Sequence, residues 1–523
     1  MRRAWCTSTI GCGKATSRRD REILYEGDED EEKTRMKMFI EGQLTGAQGA
    51  DEIKVANPAT GEVVDSVPKG GREDAKRAVD AASEAFKVWS EKPALDRSRV
   101  LLKIAEVVRA NVGDLATTLT LEQGKPLGEA QSEINSFANT CEYYAGLIGR
   151  ERGAHTPFST GEGFFIVTKR PLGVVGAILP WNFPVSLMGW KVGPGLAAGN
   201  TFVVKPASTT PLTDIRVASL MVKAGLPPGA VNVVTGPGAV VGEELLDNPK
   251  VAKIAFTGET ATGKRIMEGS SKSIKRLTLE LGGSDPMIVC DDADLQLAVE
   301  GAAWGRFRNC GQSCTSVKRL FLFDSIADTF VKSLAEKVKT IRIGNGMDRA
   351  THMGPVHTEE QREKVESMVE DAEGRGAKDI VKGGRPTQKE LAKGNFLVPA
   401  LLGDVDYDAK IAREECFGPA LPIFVVKDLE EAIERANDTP YGLGSSVWTK
   451  DVERAYHAAE RIQAGTTWVN SPPIARAEVP FGGFKQSGFG RELGVEGLDH
   501  YYETKSIQVL EYGKGKKWAF PIN

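Results

Sequence analysis

At 523 residues the chain is too long for one compact core, and a prior of roughly 100–200 residues per domain gives about three units. With 41% hydrophobic and 26% charged residues it is not a wholly disordered chain, and no stretch approaches the ~18 consecutive apolar residues of a membrane-spanning helix. Lys+Arg 67 against Asp+Glu 71 leaves a net charge of −4, a balance with no global attraction for nucleic acid or an anionic membrane.

Residues 1–35 differ from the rest. Residues 1–19 are basic and free of acids, and residues 20–32 end in the acidic run DEDEE. Such blocks bury too little surface to fold, which predicts a disordered or targeting extension, with Met36 and Met38 opening the globular part. From 36 to about 150 the pattern is mostly helical, with apolar residues three to four apart in 75–89 and 98–124 and a further helix over 129–148; Gly124 and Pro126 form a stop signal.

From 172 to 283 the rhythm changes. Short β-branched runs at 174–180, 201–207, 230–236, 252–258 and 276–283 alternate with helix-length segments at 184–198, 211–224, 238–247 and 260–270. This predicts right-handed βαβ units around a parallel sheet, with ligands at the carboxyl ends of its strands. A second alternation starts near 284, with strands at 286–290, 319–323, 421–426 and 445–448 and helices near 325–340, 358–375 and 428–437. The tail 501–512 alternates polar and apolar residues, as a strand does.

Seven Cys without a C-x-x-C pair, and five His without H-x-x-x-H, argue against a disulfide scaffold or a zinc site. They favour a reducing compartment and leave the question of a reactive thiol. Cys314, in RFRNCGQSCTS (306–316), lies among small polar residues, whereas Cys290 ends the apolar run MIVC; a loop Cys near a helix start can have a depressed pKa. Cys310 is its local competitor. Glu280 ends the apolar strand LTLELGG, where desolvation would raise its pKa toward general-base range; an exposed strand end is the alternative. Asn182, between two prolines in PWNFP, is a candidate oxyanion donor or a plain turn residue. The turns GPGAVVG (236–242) and TGETATG (257–263) offer backbone N–H groups to a phosphate, though neither matches G-x-G-x-x-G. Lys205 is placed to hold ribose hydroxyls or phosphate, and Ser208, unlike an acid, would not repel a 2′-phosphate.

Together, PWNFP (180–184), VVKPAS (203–208), FTGETATG (256–263), LELGG (279–283), GQSC (311–314), EECFGP (414–419) and PFGGFKQSGFGRE (480–492) resemble the aldehyde dehydrogenase superfamily in order and spacing over about residues 38–512. The resemblance implies an α/β fold: a Rossmann-type parallel-sheet cofactor domain (36–148 and 172–282), an α/β catalytic domain (283–482) and a β oligomerisation arm (149–171 and 500–512). It implies NADP or NAD as cofactor and a cytoplasmic homodimer or homotetramer acting on a small-molecule aldehyde, with no metal, nucleic acid or membrane partner. By its motifs Cys314 is the nucleophile, Glu280 the general base, and Asn182 with the Cys314 backbone N–H the oxyanion hole. Lys205 holds the adenine ribose, Glu415 the nicotinamide ribose, and Phe417 packs by the nicotinamide. Pro180, Trp181, Asn182, Ala207, Ser208, Gly236, Gly242, Thr257, Gly258, Glu259 and Leu281 line the cofactor path.

For the substrate, Arg308, six residues before Cys314, resembles the Arg that binds the distal carboxylate in succinate-semialdehyde dehydrogenases. Trp190 stands where that subfamily has a second Arg, and Arg476 is placed to supply the missing charge. Glu259 in FTGE, with LELGGSDPM, also looks like archaeal-type enzymes of glyceraldehyde or lactaldehyde. Two other functions remain open at this point. A CoA-acylating semialdehyde dehydrogenase tends to lack the Glu of LELGG, and a non-catalytic protein on the same fold would have lost Cys314, Glu280 or Asn182.

Overall fold

The structure is a computed structural model that describes residues 35–150 and 153–510. The expectations for residues 1–34 therefore lie outside the described residues, as do those for 151–152 and 511–512 of the arm.

Two large sheets organise the chain. The first has eight strands in the order Gly488–Phe489, Arg276–Glu280, Val251–Thr257, Val174–Ile178, Thr201–Lys205, Val231–Val233, Met38–Ile40, Gln43–Thr45, and its five central strands are parallel. Those five are almost entirely buried, which is why they read as β-branched runs rather than as alternations. The second sheet has seven strands in the order Lys378–Val381, Ala400–Gly403, Ala420–Val426, Arg319–Phe323, Pro286–Val289, Gly444–Trp448, Thr466–Val469. A three-stranded antiparallel sheet, Tyr502–Leu510, Gly163–Pro171 and Ala154–Pro157, stands apart from both.

Several elements fall where the periodicity places them. The helices Pro184–Ala198 and Thr260–Ser270 match to the residue. Pro184 at the first helical position and Gly199 at φ 97° give the first of these its two ends. Two expectations change. The segment 98–124 is not one helix: Ala94–Ala110 and Val112–Gln123 meet at Asn111, whose side-chain amide donates to the Val107 carbonyl and closes the first helix there. The stretch 36–70 is not helical but forms two hairpins. Met38–Ile40 pairs with Gln43–Thr45 and reaches the first sheet through Phe39 and Val233. Glu52–Ala56 pairs with Val63–Pro68 around a turn in which Asn57 Oδ1 accepts the Ala59 N–H and Gly61 takes φ 72°. The Asn-Pro and Thr-Gly pairs of that turn (57–61) were its sequence signal.

The carboxyl ends of the first sheet's strands face the amino ends of the second sheet's strands. The segments after Ile178, Lys205, Thr257 and Glu280 thus meet the segments before Pro286, Arg319 and Ala420. Bonds across this junction run from Asn182 to Gln312, from Gly283 to Glu415, and from His357 to Gln123 and Thr209.

Candidate active site

The helix Leu295–Phe307 ends in a tight turn, Arg308–Gly311, with Asn309, Cys310 and Gly311 all left-handed at φ 49°, 57° and 73°. A Cβ at Gly311 would meet the Gly418 carbonyl oxygen at 2.3 Å, so only glycine fits there. The turn sends Cys310 inward and leaves Cys314 beyond it. Of the five cysteines among the described residues, Cys141, Cys290, Cys310 and Cys416 are buried and Cys314 alone is half-buried. Access therefore separates Cys314 from Cys310. Cys314 is not at a helix start, however, and its pKa is not depressed. Burial pushes the thiol up to about 12, against the opposing charge of Lys318.

Asn182 sits at the start of the buried helix Pro184–Ala198. Its Nδ2 donates to the Gln312 carbonyl at 3.2 Å, two residues from Cys314. Its own carbonyl accepts from Lys125 Nζ at 2.7 Å and from Asn309 Nδ2 at 3.0 Å. Lys125 in turn pairs with Glu133 without solvent contact, and Glu133 Oε1 accepts the Val185 and Ser186 N–H groups of the helix's first turn. The backbone of Asn182 is thus fixed from behind by a buried ion pair, and its side-chain amide is oriented by the bond to Gln312, as a preorganised donor must be.

Glu280 ends its strand opposite Thr257 on one side and Gly488 on the other. It is 3% exposed and neither carboxylate oxygen has a partner among the described residues. Burial first and the charge of Glu492 second push it well above the usual carboxylate range, with Lys191 and Arg491 opposing. Lys191 and Glu492 were not singled out in the sequence. Lys191 Nζ bonds Glu492 Oε1 and Thr257 Oγ1, both at 2.7 Å, in a fully enclosed setting. Their signal was a Lys inside an otherwise apolar helix and the acid of GFGRE.

The residues expected along the cofactor path come from the strand ends and the facing segments. Lys205 is 6% exposed, donates to the Pro206 carbonyl at 2.8 Å, and burial lowers its pKa to about 8. Ala207 and Ser208 follow it, half-buried, with Ser208 Oγ donating to the Gly236 carbonyl at 3.3 Å. Gly236 is left no room for a side chain, since a Cβ would meet the Gly70 carbonyl oxygen at 2.6 Å. Gly242 ends a short π-helical segment, Gly238–Gly242. Thr257 is engaged by Lys191; Gly258 follows half-buried, and the Leu281 N–H bonds the Ser487 carbonyl. Glu259 is exposed and precedes the helix Thr260–Ser270 without a capping bond. Glu415 Oε1 accepts the Gly283 N–H, and a Cβ on Gly282 would strike Glu415 Oε2 at 2.4 Å. Beyond half-buried Pro180, Trp181 stacks on His357 at 4.6 Å and meets the Phe417 ring edge-on at 5.6 Å. His357, also missed in the sequence, is neutral because burial lowers its pKa to about 4. Its Nδ1 pairs with the Gln123 carbonyl, and its Nε2 pairs with Thr209 Oγ1 at 2.7 Å. An underused buried ammonium, a carboxylate facing two glycines and a fixed aromatic pair suit a dinucleotide's hydroxyls and its nicotinamide end.

On the other side Cys314 packs against the cluster of Leu187, Trp190, Leu443, Phe481 and Leu493, with Phe183 and Trp468. Trp190 and exposed Arg476 line one open cleft of about 580 Å³, together with Tyr143, Glu142 and Glu478. Arg308 is not on that lining. Its guanidinium lies between the rings of Phe183 and Trp304, 5.0 Å from each, and its charge reaches half-buried Glu129.

The family model described as "Aldehyde dehydrogenase family" matches residues 45–507. The chain is 43% identical to betaine aldehyde dehydrogenase of Bacillus subtilis (strain 168), covering 90% of this chain and 96% of that one. It is 42% identical to glutarate-semialdehyde dehydrogenase of Pseudomonas putida KT2440 (92% and 99% covered) and 41% identical to the succinate-semialdehyde dehydrogenase [NADP(+)] GabD of Escherichia coli K12 (91% and 98%). The crystal structure of betaine aldehyde dehydrogenase from Staphylococcus aureus in complex with NAD+ superposes with a TM-score of 0.90 at 37% identity, covering 93% of this chain and 97% of that one.

Proposed function

The chain belongs to the aldehyde dehydrogenase family, and from that premise we propose that Cys314, Glu280 and Asn182 carry an NAD(P)-dependent oxidation of an aldehyde to its carboxylic acid. The observation that carries the reading is the meeting of one accessible thiol, one unpartnered buried carboxyl and one rigidly held amide at the junction of the two sheets. Cys314 releases its proton to water and the thiolate adds to the aldehyde carbon, giving a tetrahedral thiohemiacetal. Asn182 Nδ2 and the Cys314 N–H stabilise its oxyanion, at about 3–4 kcal/mol for a good donor. A nicotinamide held here would supply the hydride acceptor. Cys314 is left as a thioester, and Glu280 deprotonates the water that hydrolyses it. Lys191 and Glu492 lie next to Glu280 to hold or pass on that proton.

Lys205, Glu415, Phe417 and Trp181 would bind the cofactor, with 36–148 and 172–282 as its domain, 283–482 as the catalytic domain, and 149–171 with 500–512 as the arm of a homodimer or homotetramer. The relatives' cofactors are NAD+ and NADP(+), and Ser208 tolerates a 2′-phosphate. Free, mostly buried cysteines suit a reducing cytoplasm. Among the described residues no helix is long and apolar enough to cross a membrane.

For the substrate, a semialdehyde with a distal carboxylate, such as succinic semialdehyde, is the preferred reading. Arg308 makes no hydrogen bond or ion pair among the described residues, and Arg476 stands at the cleft. Small hydroxyaldehydes are the second reading, carried by Glu259. Reduced nicotinamide absorbance followed with either cofactor over succinic semialdehyde, glyceraldehyde, lactaldehyde and aromatic aldehydes tests both. Formation of acyl-CoA when CoA is added would replace the hydrolytic step, and full turnover by Cys314→Ser would remove the nucleophile.

A further inference from the structure

Lys318 is a lysine with no solvent contact. It lies four residues after Cys314, where the chain enters the strand Arg319–Phe323, and its own N–H donates to the Asp285 carbonyl at 3.0 Å. Its ammonium donates to the backbone carbonyl of Cys314 at 2.5 Å and to Glu415 Oε1 at 2.8 Å, and stands 5.8 Å from the Phe417 ring centre. The same Glu415 oxygen accepts the Gly283 N–H at 3.2 Å. One buried cation therefore joins three segments: the nucleophile loop, the EECFGP loop and, through Glu415, the LELGG turn.

We propose that Lys318 is a positioning residue that couples the cofactor carboxylate Glu415 to Cys314, holding the loop that carries the sulfur and supplying the positive charge that favours its thiolate. This rests on the reading above, in which Cys314 is the nucleophile and Glu415 binds the nicotinamide ribose.

A counter-ion for Glu415 alone would not need the carbonyl of the nucleophile as its second acceptor. The charges around the sulfur make the point sharper. Glu280 faces it from the end of the strand Arg276–Glu280, Asp285 from the segment before Pro286–Val289, and Glu415 from the segment before Ala420–Val426. In their charged forms all three acids oppose a thiolate, although burial raises Glu280 well above the usual carboxylate range and Asp285 to about 7, and Lys318 is the cation that counters them. Neither carboxylate oxygen of Asp285 has a side-chain partner among the described residues, so removing the ammonium leaves acids on three sides of the sulfur. Glu415 Oε1 already takes both Lys318 and the Gly283 N–H, so a ribose diol would bond the other carboxylate oxygen and draw charge away from the one that holds Lys318. Cofactor binding is thereby sensed at Lys318 and delivered at Cys314.

The test is alkylation of the full-length protein by iodoacetamide across pH 6–10, with the modified peptide identified by mass spectrometry, with and without saturating NAD+ or NADP+. It is read beside the KM for cofactor and for aldehyde. In wild type, among the five described cysteines, the label falls on Cys314 and its rate changes when cofactor binds. Lys318→Met slows labelling at least about tenfold below the wild-type midpoint, one unit of midpoint shift being a factor of ten. It also abolishes the cofactor-dependent change and raises the cofactor KM at least about fivefold with a smaller change in aldehyde KM. Lys318→Gln keeps an N–H for the Cys314 carbonyl but no charge; it shows the labelling shift with less disturbance of KM. Lys318→Arg, which keeps the charge, recovers part of the labelling rate. A folded Lys318→Met with the wild-type labelling profile and cofactor KM overturns the proposal. So does failure of both neutral variants to fold, which would make the ammonium a structural counter-ion. Labelling of Cys141, Cys290, Cys310 or Cys416 in place of Cys314 in wild type, or turnover by Cys314→Ser, overturns the underlying reading instead; Cys6 and Cys12, outside the described residues, do not count.

Discussion

Glu280 and Cys314 are both buried in ways that disfavour their charged forms, and the chemistry depends on how each is relieved. For Glu280 the raised pKa is useful, because a general base works best near the operating pH. The sign follows from the active form. Only the carboxylate accepts the water's proton, so deacylation-limited turnover rises with pH through a range well above that of an ordinary carboxylate. Glu280→Gln should flatten that rise, lower turnover by about 100- to 10,000-fold, and let a thioester accumulate on the Cys314 peptide, visible by mass spectrometry. Wild-type turnover in that variant would shift the role to Glu492. The two side chains proposed to react were legible because each is an odd residue in its setting, a carboxylate closing an apolar strand and a thiol among small polar residues. Lys125, Lys191 and Lys318 were not, because a lysine reads as a solvated surface charge until its partners Glu133, Glu492 and Glu415 are brought to it from up to 301 residues away.

Among the elements, the helix Leu295–Phe307 aims the catalytic turn, and Arg306 near its end ties it down. This guanidinium is fully buried and donates to Ser316 Oγ and to the carbonyls of Val317, Cys416 and Gly418. It therefore holds the Cys314 loop and the EECFGP loop at a fixed separation, the two segments proposed to flank the cofactor. Arg306→Met would strand several buried acceptors at once, a loss on the order of 3–5 kcal/mol. The midpoint of thermal unfolding should fall and the cofactor KM should rise, and saturating cofactor should recover part of the midpoint. An unchanged midpoint would show that the two loops are held by other contacts. That fork could not be read from the sequence, since its acceptors are backbone carbonyls up to 112 residues away. Several other helices could be, though Leu295–Phe307 was not among them. Gly124 at φ 100° ends its helix where the stop signal placed it, whereas the break at Asn111 depends on one side-chain bond that periodicity does not register.

At the scale of the whole molecule, the parallel order of the first sheet was legible because its strands alternate with helices in a fixed rhythm. The meeting of that sheet's carboxyl ends with the second sheet's amino ends was not, because it is made by bonds such as Asn182–Gln312 between segments 130 residues apart. The arm is tied to the first core by Tyr501 and Tyr502 and to the first sheet by the Arg276–Glu503 pair, and its strands run outward from there. The strand Tyr502–Leu510 pairs with Gly163–Pro171 through nine register positions, so it is held internally on one edge, and it is the terminal strand of its sheet on the other. Ile507 and Val509, two residues apart and so on one face, are each 37% exposed, and Leu510 is 50% exposed. An open strand edge with exposed apolar residues at the outer half of one face invites a second chain, and a closed dimer or tetramer would cover both. Replacing Ile507 and Val509 by Lys keeps the backbone pairing with Gly163–Pro171 but sets charges on that face. The double variant should sediment as a smaller species than the unmodified protein at the same concentration, with its far-ultraviolet circular dichroism unchanged. The contents of the site come from the two large sheets, so the separated subunit should still alkylate at Cys314. An unaltered sedimentation coefficient would mean that this face of the arm does not hold the subunits together.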